Sequence, residues 1–270
     1  MSITAPTERR CTLTGLHLLR ATGQVAFRVT QEQYGALTAS PNEAVGALGP
    51  SAPAERRGRF DTIGRTAYLA DSPECAFAEV LAGFRKDVGR LAAEAALIGA
   101  DPDEYVRRVT EEAVANGVSP PWAIPFEWQM ARAIHECQLP RRGWWVQIDH
   151  HETLHALRRV VPAALVPPER VAALTSADLA GEDRALTTAL SQAIRQSLLD
   201  DASEPHGISF RSKTLRGRCW AYWDRRRDEG LAPGSDEPIS LRRVSVWSHP
   251  AFRTVAAEYG LPILQAPSSS

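Results

Sequence analysis

The chain has 270 residues, of which 44% are hydrophobic and 23% charged, with a formal net charge of −1. That length suits one large domain or two small ones and leaves ample material for a core. The near-neutral balance gives no electrostatic case for direct nucleic-acid or anionic-membrane binding. No apolar run reaches the length of a bilayer span. The opening MSITAPTERRCTLTG lacks the apolar stretch of a secretory signal, so a cytoplasmic protein is expected. Cys11, Cys75, Cys137 and Cys219 are dispersed without a C-x-x-C pair, which reads as reduced thiols. Lys86 and Lys213 are the only lysines. The arginine bias is that of base composition, although arginine also suits paired contacts to phosphate.

Residues 1–20 read as a loosely ordered N-terminal segment. Residues 23–29, GQVAFRV, alternate as a first strand with Arg28 near its end. Residues 38–54 are rich in Pro, Gly, Ser and Ala and read as a long loop. In the next stretch Gly58, Asp61 and Gly64 mark turns, and residues 67–70 form a short strand. Asp71-Ser72-Pro73 then caps a helix, because a short polar side chain accepts from free N–H groups and proline suits the first turn. Glu79 lies on that helix among Ala76, Phe77, Ala78, Val80 and Leu81. An acid in such apolar company is paired or functional. One strand-to-helix unit thus carries a guanidinium (Arg59), a phenol (Tyr68) and a carboxylate (Glu79).

Residues 87–98 are expected to be helical, and Asp101-Pro102-Asp103-Glu104 opens another helix that Gly117 stops. Residues 126–137 read as a further helix, so that 87–140 forms a helical insertion. WWVQI at 144–148 reads as a strand and 149–160 as a helix. Residues 175–178 start a helical turn. Residues 184–199 place Leu186, Leu190, Ile194 and Leu198 at helical spacing. Strands are expected at 207–210 and 219–223, a charged loop at 225–237, a last core strand at 240–247 and a helix at 249–259. The tail, 266–270, is expected to be disordered. Separate strands and helices around one core make the chain α+β, a single domain over residues 21–265.

His151-Glu152-Thr153-Leu154-His155 fits H-E-x-x-H, in which two imidazoles four residues apart share a helix face and hold zinc while the glutamate acts as base. No third ligand follows at a metzincin spacing; Glu169, Glu182 and Asp183 do not suit. A capped surface helix is the preferred reading over a zinc metalloprotease, and no metal is expected. Ser212 lacks a surrounding G-x-S-x-G and reads as a pocket serine that hydrogen-bonds substrate. Cys75 reads as core, since nothing local in the sequence lowers its pKa. Trp220 and Trp223 read as core aromatics.

Taken together, two segments resemble the RES domain, named for an arginine, a glutamate and a serine. The matching residues are Arg59-Phe60, Gly64, Tyr68-Leu69-Ala70, Ala76 with Glu79, and Gly207-Ile208-Ser209-Phe210-Arg211-Ser212. Further likeness to longer actinobacterial-type members lies in Trp145 to Asp149, Glu152-Thr153-Leu154 and Leu186 to Leu190. The resemblance implies a mixed sheet of ADP-ribosyltransferase-like type and an enzyme that consumes NAD, as glycohydrolase or, with inorganic phosphate as co-substrate, as phosphorylase. It implies Glu79, Arg59 and Ser212 as catalytic and Arg28, Arg59, Tyr68 and Ser212 as substrate-binding residues. Val29 stands where the family carries an aromatic after the early arginine. The resemblance also implies a toxin of a toxin–antitoxin pair whose partner carries a helix-turn-helix. An ADP-ribosyltransferase with a macromolecular acceptor and an inactive NAD-binding module are the alternatives.

Overall fold

Ten strands form one sheet in the computed structural model, which describes residues 7–46 and 57–266. They are β1 (Glu8–Arg10), β2 (His17–Arg20), β3 (Val25–Gln31), β4 (Pro41–Asn42), β5 (Gly64–Ala70), β6 (Arg132–Gln138), β7 (Trp144–Gln147), β8 (Gly207–Arg211), β9 (Arg218–Trp223) and β10 (Ile239–Ser245). Their order is β1-β2-β7-β8-β9-β5-β3-β6-β10, with β4 added to β5. β7 and β8 run parallel, and the other pairs among the described residues are antiparallel. The helices are α1 (Pro73–Leu81), α2 (Val88–Leu97), α3 (Pro102–Ala115), α4 (Phe126–Met130), α5 (His151–Val160), α6 (Pro168–Ala172), α7 (Ser176–Ala180), α8 (Arg184–Arg195), α9 (Arg225–Asp228) and α10 (Pro250–Glu258). The chain is therefore α+β, one domain around a mixed sheet.

Strand alternation divides the core in two. Ala70, Ile134, Val146, Ile208, Phe210, Ala221 and Trp223 face the larger cluster, where Phe77 of α1, Leu157 of α5, Leu190 of α8 and Phe252 of α10 cover them. The opposite face buries Ala26, Ala67, Leu69, Cys137, Trp145, Trp220 and Tyr222. Burying a side chain of Phe or Leu size stabilises by about 1.5–3 kcal/mol each, so the larger cluster dominates cohesion. α1 starts as its sequence dictates: Ser72 is the N-cap, its hydroxyl accepts from Cys75 N–H, and Pro73 opens the first turn.

Several expectations are corrected. The segment 1–20 is ordered over its described part: β1 and β2 pair, and Leu16 and Leu18 are fully buried. Asp200 fastens the intervening turn by accepting from Thr12 N–H at 2.5 Å and from Arg9 at 2.6 Å. The helix expected over 126–137 ends at Met130, and β6 follows. An apolar run of this length satisfies either periodicity; pairing with β3 on one side and β10 on the other decides for strand. The insertion expected over 87–140 is therefore helical only as far as α4. The last strand, β10, is an exposed edge and not a core strand. Within the loop expected at 225–237, residues 225–228 form α9, capped by Asp224, and α8 stops at Arg195, leaving Leu198 half exposed. Residues 47–54 of the long loop and 267–270 of the tail lie outside the described residues.

Candidate functional site

β5 leads into α1, and Ser212 directly follows β8, so topology brings residues 133 positions apart into contact. The Ser212 hydroxyl donates to Glu79 Oε1 at 2.5 Å. Ser212 Oγ in turn accepts from Thr214 N–H at 3.1 Å and lies 2.7 Å from Thr214 Oγ1. With its own proton committed to the carboxylate, Ser212 accepts from the Thr214 hydroxyl. The serine thus fixes one carboxylate oxygen of a partly buried glutamate. Among the described residues, Glu79 receives no other hydrogen bond.

Arg59 reaches the same place from the loop before β5. Its guanidinium lies 5.0 Å from the Phe210 ring centre and 5.3 Å from that of Phe60, and Nη1 donates to the Leu179 carbonyl at 3.3 Å. Burial lowers its pKa from the ordinary arginine value, while Glu79 and Tyr68 work in the opposite direction. The loop is held by Tyr68. Its hydroxyl donates to Asp61 Oδ1 at 2.8 Å and accepts from Phe60 N–H at 2.9 Å. Asp61 Oδ2 accepts from Gly58 N–H at 2.9 Å. A Cβ on Gly58 would lie 2.4 Å from the Tyr68 hydroxyl, so this approach demands glycine. Burial raises the pKa of both partners: Tyr68 stays a neutral donor, and the Asp61 carboxyl sits above its ordinary value despite the Tyr68 and Gly58 hydrogen bonds. Tyr68 therefore holds the loop of Arg59 with its hydroxyl, and its ring, which lines the smaller cavity, is centred 6.4 Å from that of Phe210 with the planes inclined by 75°.

Two cavities meet at Phe210. One, of about 540 Å³, is lined by Arg59, Asp149, Phe210, Arg211, Ser212, Lys213 and Arg218. It lies at the carboxyl ends of the parallel strands β7 and β8. The other, of about 260 Å³, is lined by Phe27, Val29, Tyr68, Glu79, Val80 and Phe210. The larger volume falls within the usual range of about 300–1,000 Å³ for small-molecule sites. Its wall is cationic, with Asp149 as the acid. Asp149 Oδ2 accepts from Arg211 N–H at 2.9 Å, while the buried Oδ1 has no partner. A cavity of similar size, about 530 Å³, is lined by Phe126, Gln129, Met130 and Trp247 among others, but it holds no acid and so no comparable chemistry.

Arg59, Tyr68, Glu79 and Ser212 thus converge, and Arg28 does not. The backbone of Arg28 borders the smaller cavity. Its side chain follows Ala26 onto the opposite face of the sheet, where it lies near Cys137 and donates to the Ala36 carbonyl at 2.9 Å. Burial there lowers its pKa. The expectation that Arg28 binds the same ligand as Glu79 is corrected by strand alternation, since Val29 and Phe27 are the β3 side chains on the cavity side. Cys75 is core, as expected, and its thiol has a partner distant in sequence. Cys219 Sγ lies 3.8 Å away, and a hydrogen bond from that thiol lowers the Cys75 pKa; the same contact and burial raise that of Cys219.

Asp61, Asp149, Phe210, Lys213 and Thr214 were not singled out as site residues by sequence reasoning. Phe210 was legible from its alternate position to Ser212 on one strand. Asp61 and Thr214 carry no periodic signal, because they act through turns. The H-E-x-x-H pair does not form a centre: His151 and His155 are exposed on α5, whereas Glu152 lies 2.9 Å from His17 on β2. No helix among the described residues is long and apolar enough to cross a membrane. Comparison of the chain with protein-family models, curated proteins and solved structures gave no match.

Proposed function

We propose that this chain is a RES-type enzyme that cleaves the nicotinamide–ribose bond of NAD. The observation that carries the reading is the Glu79–Ser212 contact at 2.5 Å beside a cavity walled by Arg59, Arg211, Lys213 and Arg218. Arginine binds a diphosphate through paired N–H donors, so the cationic cavity takes that part of the dinucleotide. The nicotinamide ribose then sits at Glu79, with the nicotinamide ring against Phe27, Val29 and Val80 in the smaller, more apolar cavity.

Cleavage breaks the bond between ribose C1′ and the pyridinium nitrogen, and the electron pair leaves with nicotinamide as a neutral ring. No acid is needed for departure. Positive charge develops on the ribose, as in glycoside hydrolysis, and the preorganised Glu79 carboxylate stabilises it. Water attack gives ADP-ribose and releases one proton; phosphate attack gives the ADP-ribosyl phosphate. A polypeptide acceptor would give transferase chemistry with the same first step. A role as the toxin of a toxin–antitoxin pair, with a helix-turn-helix protein as partner, belongs to the same reading.

Purified protein incubated with NAD, with and without inorganic phosphate, tests this. Nicotinamide release is expected. Faster release with phosphate and a phosphorylated product would select the phosphorylase. Label from adenine-labelled NAD retained on protein would select transfer. NAD that binds but is not consumed would reduce the chain to a binding module.

A further inference from the structure

A second polar cluster lies outside the cavity walls, where the β1–β2 hairpin meets the first turn of α5. His17 is 93% buried by its 7% exposure, yet its Nε2 has no hydrogen-bond partner. A buried, unpaired ring nitrogen is costly. Its other nitrogen, Nδ1, lies 2.9 Å from Glu152 Oε2, and His150 Nδ1 lies 3.8 Å from the same oxygen. His150 Nδ1 faces the same region, and its lone pair now accepts Glu152 N–H at 3.3 Å, a long bond that a bound ion would replace. One ligating atom from each of His17, His150 and Glu152 lies within 4.8 Å of the others. A tetrahedral ion with donors at 2.0–2.1 Å separates them by about 3.3–3.4 Å, and the observed 2.9 and 3.8 Å bracket that value.

The unpaired nitrogen completes the argument. If His17 Nδ1 is a ligand, Nε2 carries the proton and needs an acceptor. Glu8 Oε2 stands 3.6 Å from it, contributed by the neighbouring strand. Metal-bound histidines characteristically donate their second N–H to a carboxylate, which fixes the ring and strengthens the ligand. We propose that His17, His150 and Glu152 bind one divalent transition-metal ion of the zinc class, with Glu8 as the outer carboxylate that orients His17. The fourth position is left to water. The two rings stack with centres 3.6 Å apart and planes inclined by 19°. Each imidazole lone pair lies in the plane of its ring, so binding tilts the rings out of that stack. The ion ties the N-terminal hairpin to the start of α5, through His150, one residue after Asp149 on the cavity wall. The site is distinct from the H-E-x-x-H pattern, because its histidines are His17 and His150, not His151 and His155.

Untagged full-length protein, stripped with chelator, is titrated with Zn²⁺ by calorimetry and with Co²⁺ by visible absorption, and metal content is measured after dialysis. One equivalent of tightly held ion is expected, with a Co²⁺ spectrum of tetrahedral type and a higher melting temperature on Zn²⁺ addition. His150→Ala and Glu152→Gln, both changes at partly exposed side chains, each abolish stoichiometric binding. Glu8→Gln weakens it by about 10–100-fold. The double change His151→Ala, His155→Ala leaves it unchanged. Absence of stoichiometric binding in the wild type, persistence in folded His150→Ala and Glu152→Gln, or loss in the His151/His155 variant would each overturn the proposal.

Discussion

Two carboxylates on opposite sides of β5, Asp228 and Glu79, are used in opposite ways. At the Gly64 end, Asp228 accepts from Arg65 N–H with both oxygens, from Arg65 Nη1 at 3.0 Å and from Arg195 Nη2 at 2.7 Å. Its hydrogen-bonding capacity is spent on joining α9, β5 and α8. Beyond the Ala70 end, Glu79 receives one hydrogen bond, from Ser212, and faces a cavity. A saturated acid contributes stability. An acid oriented by one donor and left with accepting capacity is suited to a ligand. The contrast separates a partly buried carboxylate whose acceptors are used up from one with accepting capacity left for a ligand, where the sequence presents Asp228 as part of a charged loop and Glu79 as an acid among apolar residues.

This contrast can be broken by mutation. The largest stability effect should come from Asp228→Ala, which leaves the guanidinia of Arg65 and Arg195 without their shared acceptor. A loss of about 3 kcal/mol is expected for breaking a partly buried pair, read by urea denaturation, with turnover per folded molecule unchanged. Glu79→Gln should shift stability by less than about 1 kcal/mol in the same measurement, because it removes only part of one charge-assisted hydrogen bond. Comparable losses in the two variants would erase the distinction.

Ser212→Ala sharpens the claim that the serine orients the glutamate. Loss of a hydrogen bond to a charged group is worth about 1.5–3 kcal/mol, so kcat for nicotinamide release should fall at least tenfold. Ser212→Thr should restore part of it. An unchanged rate would assign the serine no part in turnover. Tyr68→Phe removes the donor to Asp61 and the acceptor of Phe60 N–H, loosening the loop that carries Arg59. A several-fold rise in KM for NAD with a smaller change in kcat is expected; the reverse pattern would place the phenol in the chemical step.

A further, pH-dependent effect lies at the hairpin. Burial raises the Asp200 pKa, but Thr12 N–H, Arg9 and the Thr12 hydroxyl outweigh it and bring the carboxyl from 3.8 down to about 2. A depressed acid contributes stability that is full above its unfolded pKa and lost as pH falls through its folded value. Asp200→Asn should therefore cost about 1–2 kcal/mol at pH 7, with the two stability curves converging as pH falls from about 4 through 2 and meeting only below that. A constant difference across that window would remove the ion pair from the hairpin's stability.

The fold was legible where one signal ruled. The cap at Ser72 and Pro73, the alternation through Gly207 to Phe210 and the apolar stripe of Leu186, Leu190 and Ile194 all placed their elements. Residues 132–138 misled because Ala133, Ile134 and Cys137 satisfy a helix as well as a strand, and only pairing with β3 resolves the choice. The site was legible as residue types in order: Arg59, Tyr68, Glu79 and Ser212 do converge. Arg28 was misplaced because a strand position has two faces and one sequence position does not tell which is which. The roles of Tyr68 and Ser212 as holders of Arg59 and Glu79 depended on hydrogen bonds across turns, for which spacing carries no signal. The H-E-x-x-H pattern drew attention to His151 and His155, whereas Glu152 is the member that meets His17, more than a hundred residues away.

The measurement that bears most directly on the central claim is nicotinamide release from NAD by wild type and by Glu79→Gln at matched folded fraction. A preorganised charge at the reacting ribose is worth about 10²–10³ in kcat, so release by the wild type and a fall of at least about a hundredfold in the variant are expected, with NAD binding retained. Release that survives Glu79→Gln at full rate, or a wild type that binds NAD and never releases nicotinamide, would contradict the assignment.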